Sequence, residues 1–318
     1  MDKLNQELIN KIELSFKIDE LIENFTKNSD ISNEVIEILD ENLKDKEKIL
    51  ERLKDKKTAL IDEIHLYLDS IYDTDECENY IINRYWQNSY KNKTPTYFQK
   101  AYKLYYEIFF PKILQKYCNN FDTALEIGCG NGIITEILAK KFKNVIGIDL
   151  SKNGVNVANK NNKLKNVKYF CDDAKNAKKY ISGSGYNLVF ASDIMMYSQD
   201  KNLKAIFEGF LSIINPGGVL LMRESVKNSG KEYHKSRHYV AYYRNKDFYT
   251  RGIFKDFFVG KFRSHSYLLY YRKKLFNAFP QLQEEFLKNP LLIEKYSKNF
   301  PLHEQRSQYI YIYGQNNG

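Results

Sequence analysis

Apolar residues recur at a helical step in the first part of the chain and gather into short blocks in the second. Over residues 1–72 they return every three or four positions among charges: Leu14, Ile18, Leu21 and Phe25, then Val35, Leu39 and Leu43, then Ile49, Leu53, Leu60, Ile64 and Ile71. That period marks one face of an amphipathic helix, and the stretch holds no glycine or proline to interrupt it. Asn28-Ser29-Asp30 breaks the first stripe, and Lys57 is the polar interruption of the last. The pattern predicts a helical extension over residues 1–75 with helical-hairpin or coiled-coil character, suited to packing on the rest of the chain or to self-association through residues 34–72. From residue 123 the rhythm changes to brief apolar runs separated by helical stretches: Thr123–Glu126, Val145–Asp149, Val167–Asp173, Tyr186–Asp193 and Ile214–Met222 with its Pro216-Gly217-Gly218 turn. Strands alternating with helices predict a parallel α/β sheet. Arg263–Tyr271 and Gln308–Tyr313 read as a last antiparallel pair, with a helical insertion, Leu275–Ser297, between them.

The chemistry concentrates where the first run ends. Glu126-Ile-Gly-Cys-Gly-Asn-Gly132 places glycines at 128, 130 and 132 between a strand and an apolar-periodic segment (Ile133, Ile134, Ile137, Leu138). Glycine allows positive φ there and, lacking Cβ, lets a ligand lie on the backbone. The dinucleotide fingerprint G-x-G-x-x-G is not met, because Ile133 stands where its third glycine would fall. The Gly-Lys-Ser/Thr ending of a P-loop is absent too. The second run ends on Asp149, one βα unit beyond Glu126, where a doubly wound sheet presents a carboxylate to a ribose. Asp173 and Asp193 close the third and fourth runs.

These elements, in order and spacing, resemble the class I S-adenosylmethionine-dependent methyltransferases over about 100 of the 318 residues. The resemblance implies a Rossmann-like, doubly wound, seven-stranded sheet. It implies that Glu126, Gly128, Cys129, Gly130 and Gly132 hold the methionine end of the cofactor. It gives Asp149, followed by Leu150, the ribose, and Asp173 with Ala174 the adenine side. Asp193 falls at the strand end that faces the transferred methyl. A carboxylate suits a vicinal diol because it offers two acceptors to two donors. Capping of the following helices is the structural alternative for these acids.

Between extension and sheet, residues 76–120 are rich in aromatics. In this family such a pre-sheet helical segment covers the cofactor, which makes Tyr85, Trp86 and Tyr97 candidates for the cover; core packing of large rings is the alternative. Pro111 is expected to end or kink the helix that carries Tyr102, Tyr105 and Tyr106.

Charge divides the chain. Residues 1–72 carry 18 acids against 11 bases, whereas the whole chain is +9. Residues 223–274 hold 14 Lys/Arg against 4 Asp/Glu, interleaved with tyrosines and three of the five histidines. This falls in the last of four segments (1–75, 76–120, 121–225, 226–318), where the fold places a substrate lid. A basic, aromatic lid suits a small-molecule, nucleotide-sugar, glycan or phosphate-bearing acceptor, with Arg237 and Arg244 as anion contacts; a solvated basic face is the alternative. His234 and His238, with Glu224 behind them, are the candidate catalytic bases for an oxygen acceptor. The four cysteines are scattered, with no zinc-like spacing, so no metal is expected. No apolar run is long enough to cross a bilayer, and Met-Asp-Lys-Leu-Asn-Gln-Glu does not resemble a secretory signal; a cytoplasmic location is expected.

Three functions follow from this reading. The first is methyl transfer to a small or glycan-linked acceptor. The second is RNA or DNA methylation, which charge and aromatics suggest, although the fourth strand ends Ala-Ser-Asp-Ile rather than Asn/Asp-Pro-Pro-Tyr/Phe. The third is a non-catalytic scaffold using the N-terminal helices.

Overall fold

The computed structural model describes residues 3–28, 33–39, 45–70, 75–89, 97–181, 183–228, 232–235, 240–264, 280–289, 292 and 306–314. The chain divides into two units, one Met1–Ile82 with Lys235–Tyr239, the other Asn83–His234 with Val240–Gly318.

In the first unit, helices α1 (Lys3–Asn28), α2 (Asn33–Leu39) and α3 (Lys46–Ser70) follow the predicted stripes. Ile18, Leu21 and Phe25 of α1 meet Val35 of α2 and Ile49, Leu53 and Leu60 of α3 in one buried cluster. These described apolar positions thus pack against one another within the unit. Lys57, the polar interruption, is 7% exposed and donates to Asp19 of α1. An ammonium can stay in such a seam because the acid opposite neutralises it.

The second unit begins within α4 (Asp75–Ser89) and continues through α5 (Tyr97–Tyr117) to a seven-stranded sheet. Its strands are β1 (Thr123–Ile127), β2 (Asn144–Asp149), β3 (Val167–Cys171), β4 (Tyr186–Ser192), β5 (Ile214–Lys227), β8 (Phe258–Ser264) and β9 (Arg306–Gly314). The order is β3-β2-β1-β4-β5-β9-β8. The first five are parallel, and β9 runs antiparallel between β5 and β8. A separate ribbon pairs β6 (Glu232–Lys235) with β7 (Val240–Tyr243).

Alternation along each strand decides which face a side chain joins. Leu188, Phe190, Val219, Leu221, Ile310 and Ile312 turn to α5 and α6 (Ile133–Ala139). Val189, Ala191, Leu220, Met222, Tyr311 and Tyr313 turn to α8 (Asp200–Leu211) and the 3₁₀ turns at 248–257. The Tyr-Ile-Tyr-Ile-Tyr run of β9 thereby serves both cores, and the Tyr311 and Tyr313 hydroxyls are satisfied by the carbonyls of Lys246 and Tyr249.

Two expectations are corrected. Pro111 does not end its helix: α5 runs through it to Tyr117. Proline removes one backbone donor, and buried Phe110, Ile113 and Leu114 around it hold the helix on the sheet. The first strand of the final pair starts at Phe258 rather than Arg263, because the 3₁₀ turn ends at Phe257 and Phe258 is already opposite Tyr313. Residues 265–271 lie outside the described ones. Of the insertion, α9 (Leu282–Lys288) is described, with Leu282 buried against the α5 side.

The first prediction concerns α1 and α3. Lys57→Met should be neutral or stabilising, because Asp19, 38% exposed, returns to water. Asp19→Ala should cost about 1–3 kcal/mol by leaving the ammonium buried alone. Denaturant unfolding of the two variants measures the difference, and equal effects would refute it.

Candidate functional site

The sheet order creates the site. β1 lies between β2 and β4, so connections leaving β1 and β4 go to opposite faces and open a crevice at the carboxyl edge. Register keeps that edge flush, with Ile127 opposite Ile148 on one side and Ala191 on the other.

The glycine loop turns over this crevice. Gly128, Gly130 and Gly132 have φ of 76°, 52° and 81°. Gly128 and Cys129 donate to the Ile148 carbonyl at 2.8 and 3.1 Å, seating the loop on β2. Close approach, and not φ alone, requires glycine at 128: a Cβ there would stand 2.7 Å from Cδ1 of Ile194. Asp149 completes the loop, its Oδ2 accepting from Gly130 N–H and its Oδ1 from Ser151 N–H, both at 2.7 Å. Burial pushes its carboxyl up, and the two amides oppose that shift.

Beneath the loop Glu126 is 2% exposed and accepts from the Thr135 hydroxyl. Burial, and then the charge of Asp149, pushes it up to about 8. Cys129 is buried with Val155, Ala158 and Tyr169, and burial pushes its thiol up. Leu150 is 45% exposed, beside the loop.

Asp173 caps the 3₁₀ turn Ala174–Tyr180 by accepting from Lys175 N–H at 2.9 Å. The capping alternative therefore describes its contacts, and its side chain stays half exposed. The neighbouring Asp172 is committed instead to Asn176 and the Tyr180 hydroxyl, both at 2.7 Å, and these donors hold it down at about 2.

Asp193 follows directly on β4. It has φ of 53°, alone in positive φ among the described non-glycine residues. In this conformation its carboxylate meets Arg223 at 3.1 Å, Ser225 N–H and hydroxyl at 2.9 Å each, and Gln308 at 3.3 Å. These partners sit on β5 and β9, on the side of β4 away from the glycine loop. Arg223 also donates to the Tyr106 hydroxyl at 3.1 Å.

The end of α4 is bonded to the chain that follows Asp149. At the end of α4, Gln87 Nε2 donates to the Leu150 carbonyl (3.1 Å), Ser151 Oγ to the Trp86 carbonyl (3.2 Å) and Asn153 Nδ2 to the Gln87 carbonyl (2.8 Å). The Trp86 ring, half-buried and packed edge-on against Tyr85, reaches Tyr197 past β4 with centroids 6.3 Å apart. Trp86 thus joins the connections after β2 and β4 with β1 between them. Tyr97 opens α5, and its side chain lies outside the described ones.

On the acceptor side, Glu224 is fully buried and accepts from the N–H groups of Ile194, Met195 and Met196 at 3.0–3.2 Å. Burial and the Asp193 charge push its carboxyl up. Arg244 corrects the expected anion contact. It is fully buried, its N–H groups going to Asp200 (2.8 Å) and to the carbonyls of Met195 (2.9 Å) and Ser198 (2.6 Å). His234 lies in β6 with its side chain outside the described ones; His238 and Arg237 are outside them altogether. Among the described residues no cluster of His, Cys, Asp and Glu could hold a metal ion, and no helix is long and apolar enough to cross a membrane.

Sequence reading missed Gly147, Tyr169, Thr135 and Tyr197. A Cβ on Gly147 would stand 2.7 Å from the Tyr169 ring and 3.0 Å from Cys129 Cβ. A glycine inside the Val-Ile-Gly-Ile-Asp strand is the signal that could have shown this close packing.

Comparison with known proteins fits this geometry. Residues 124–218 match the family model described as a methyltransferase domain. Phosphoethanolamine N-methyltransferase 3 of Arabidopsis thaliana is 29% identical over 148 residues, 46% of this chain and 30% of that protein. Phosphoethanolamine N-methyltransferase 1 of the same plant is 32% identical over 139 residues, 42% of this chain and 27% of that protein. Malonyl-[acyl-carrier protein] O-methyltransferase 2 of Ilyobacter polytropus is 29% identical over 131 residues, 37% and 49% respectively. The matched region spans between about a quarter and a half of the length of these relatives. Coclaurine N-methyltransferase bound to N-methylheliamine and S-adenosylhomocysteine aligns with 82% of this chain and 95% of its own, at 12% identity and a TM-score of 0.49. Residues 124–218 of the chain thus match a methyltransferase domain, and they hold β1 to the start of β5 of the seven-stranded sheet.

The pH dependence of stability follows from Glu126. Its folded value of about 8 stands above the ordinary 4.5, so its contribution is full below about 4.5 and is lost as pH rises through about 8. Melting temperature should therefore fall between about pH 5 and pH 8, and Glu126→Gln should flatten that fall. Parallel slopes in wild type and variant would refute the assignment.

Proposed function

We propose that the chain is a methyltransferase that holds S-adenosylmethionine under the Trp86 cover and passes its methyl group to a small, phosphate-bearing acceptor. The observation that carries the cofactor half is the Asp149 carboxylate, seated between Gly130 and Ser151 N–H groups at the switch point of the sheet. A carboxylate oxygen accepts more than one hydrogen bond, so both oxygens keep capacity for ribose hydroxyls. Glu126, Gly128, Cys129, Gly130 and Gly132 would hold the methionine end, Asp149 and Leu150 the ribose, and Asp173 and Ala174 the adenine side. Tyr85, Trp86 and Tyr97 would close the site.

The bound cofactor supplies a methyl group on a sulfonium, already activated for displacement. What this chain adds is alignment and exclusion of water, which the loop, Ile194 and Trp86 are placed to provide. Asp193 we assign to the acceptor side, holding Arg223 and Gln308. Glu224, with three amides on its carboxylate, is read as a positioning residue, which leaves His234 and His238 as the candidate bases.

Two features favour a phosphate-bearing acceptor. Residues 223–274 carry 14 bases against 4 acids, and two of the relatives are named for phosphoethanolamine. Arg244 is excluded from direct contact by its burial, so the anion would be met by other bases of that segment.

Transfer of labelled methyl from S-adenosylmethionine should therefore be measured with phosphoethanolamine, nucleotide sugars, glycans, RNA and DNA. The expected result is transfer to a small phosphate-bearing acceptor, with apparent KM rising as salt screens the basic segment. The candidate base among His234 and His238 should cost roughly 10²–10⁴ in kcat when replaced. Transfer to RNA or DNA alone would favour the nucleic-acid reading, and cofactor binding with no transfer to any acceptor would favour the scaffold.

A further inference from the structure

The segment after β4 touches both halves of the candidate site. Ile194 lies where a Cβ on Gly128 would be. Three residues on, the Tyr197 ring packs edge-on against Trp86. Between them is a single 3₁₀ turn, Met195–Tyr197, which by itself has little to hold it.

Two fully buried side chains grip that turn from opposite ends of its peptide dipoles. Glu224 takes its amides, with Oε1 accepting from Ile194 and Met195 and Oε2 from Met196. Arg244 takes its carbonyls, donating to Met195 and Ser198 and anchoring itself on Asp200 at the start of α8. Both groups are 0% exposed. Burying a carboxylate and a guanidinium costs more than an apolar plug of the same size unless every polar group is used. Here Glu224 and two of the Arg244 donors are spent on one short stretch of backbone whose two ends face the glycine loop and the cover, while Arg244 also meets Asp200, the Tyr249 hydroxyl and the Tyr242 carbonyl.

We propose that Glu224 and Arg244 are positioning residues that fix Ile194–Ser198 as a wall between the glycine loop and the Trp86 cover. The inference rests on the cofactor reading above for what the wall encloses, but not for the clamp itself. Without the clamp the turn loses its register, Tyr197 leaves the Trp86 ring, and Ile194 no longer backs the loop at Gly128.

Trp86 is the only tryptophan of the chain, so intrinsic emission reports on the cover directly. Full-length wild type, Glu224→Gln and Arg244→Lys are compared by Trp86 emission, by S-adenosylhomocysteine titration and by thermal melting. Glu224→Gln keeps the shape but sets an amide NH₂ against N–H donors. Arg244→Lys keeps the charge but cannot reach Asp200 and both carbonyls together. Lys57→Met serves as a remote control. The expected result is folded variants whose emission shifts to that of a more exposed indole before any ligand is added, and whose S-adenosylhomocysteine affinity falls about tenfold or more. The control should match wild type in both. Folded variants with wild-type emission and affinity would overturn the proposal. If Glu224→Gln does not fold, Arg244→Lys decides alone; loss of fold in both would make the pair plain core residues and likewise overturn it. Failure of wild type to bind S-adenosylhomocysteine would remove the cofactor reading, while the ligand-free emission would still judge the clamp.

Discussion

The carboxylate of Asp149 is the joint on which the site depends. It sits at the last position of β2, yet it accepts from Gly130, in the loop that leaves β1, and from Ser151, which opens α7 (Lys152–Asn161). One side chain thereby fixes the glycine loop, the end of the neighbouring strand and the start of the next helix. Ser151 extends the joint: its hydroxyl accepts from Gly154 N–H as the cap of α7 and donates to the Trp86 carbonyl. A half-buried carboxylate is stable there because amide dipoles converge on it, as at a helix N-terminus. The same convergence leaves an anionic group at the crevice, where a ligand offering hydroxyl donors is favoured.

A second layer supports the first. Glu126, Thr135, Cys129 and Tyr169 fill the space below the loop, and Gly147 has no side chain because Tyr169 and Cys129 occupy its place. Charge is arranged in two buried or half-buried sets on either side of β4. Glu126 and Asp149 lie toward the glycine loop, while Asp193, Glu224, Arg223 and Arg244 lie toward β5 and β9. The positive φ of Asp193 separates the sets by turning its carboxylate to Arg223 and Gln308. A strained residue at a strand end is tolerated where its surroundings over-determine it, and four hydrogen bonds do so here.

Much of this was legible in the sequence because it is carried by local pattern. Short apolar runs and helical spacings marked the strands and helices, and Glu126-x-Gly-x-Gly-x-Gly with Asp149 located the loop and its acid. The contacts of Asp193 with Arg223, Ser225 and Gln308 were not legible, since those partners lie 30 to 115 positions further along the chain. Arg244 looked like a surface cation because it lies in a basic stretch. Its burial depends on carbonyls and an acid 44–49 positions earlier in the chain. Pro111 misled for a similar reason, since tertiary packing outweighs the loss of one helical hydrogen bond. Helical spacing also located α2 and α3, whereas their packing against α1 is a tertiary contact that spacing alone does not specify.

Calorimetric titration with S-adenosylhomocysteine of wild type and Asp149→Ala tests the central claim most directly. The account predicts saturable one-to-one binding by wild type and a loss of about 1.5–3 kcal/mol in the variant, roughly ten- to a hundredfold or more in Kd. Equal affinity in the two proteins, or no binding by wild type, would contradict it.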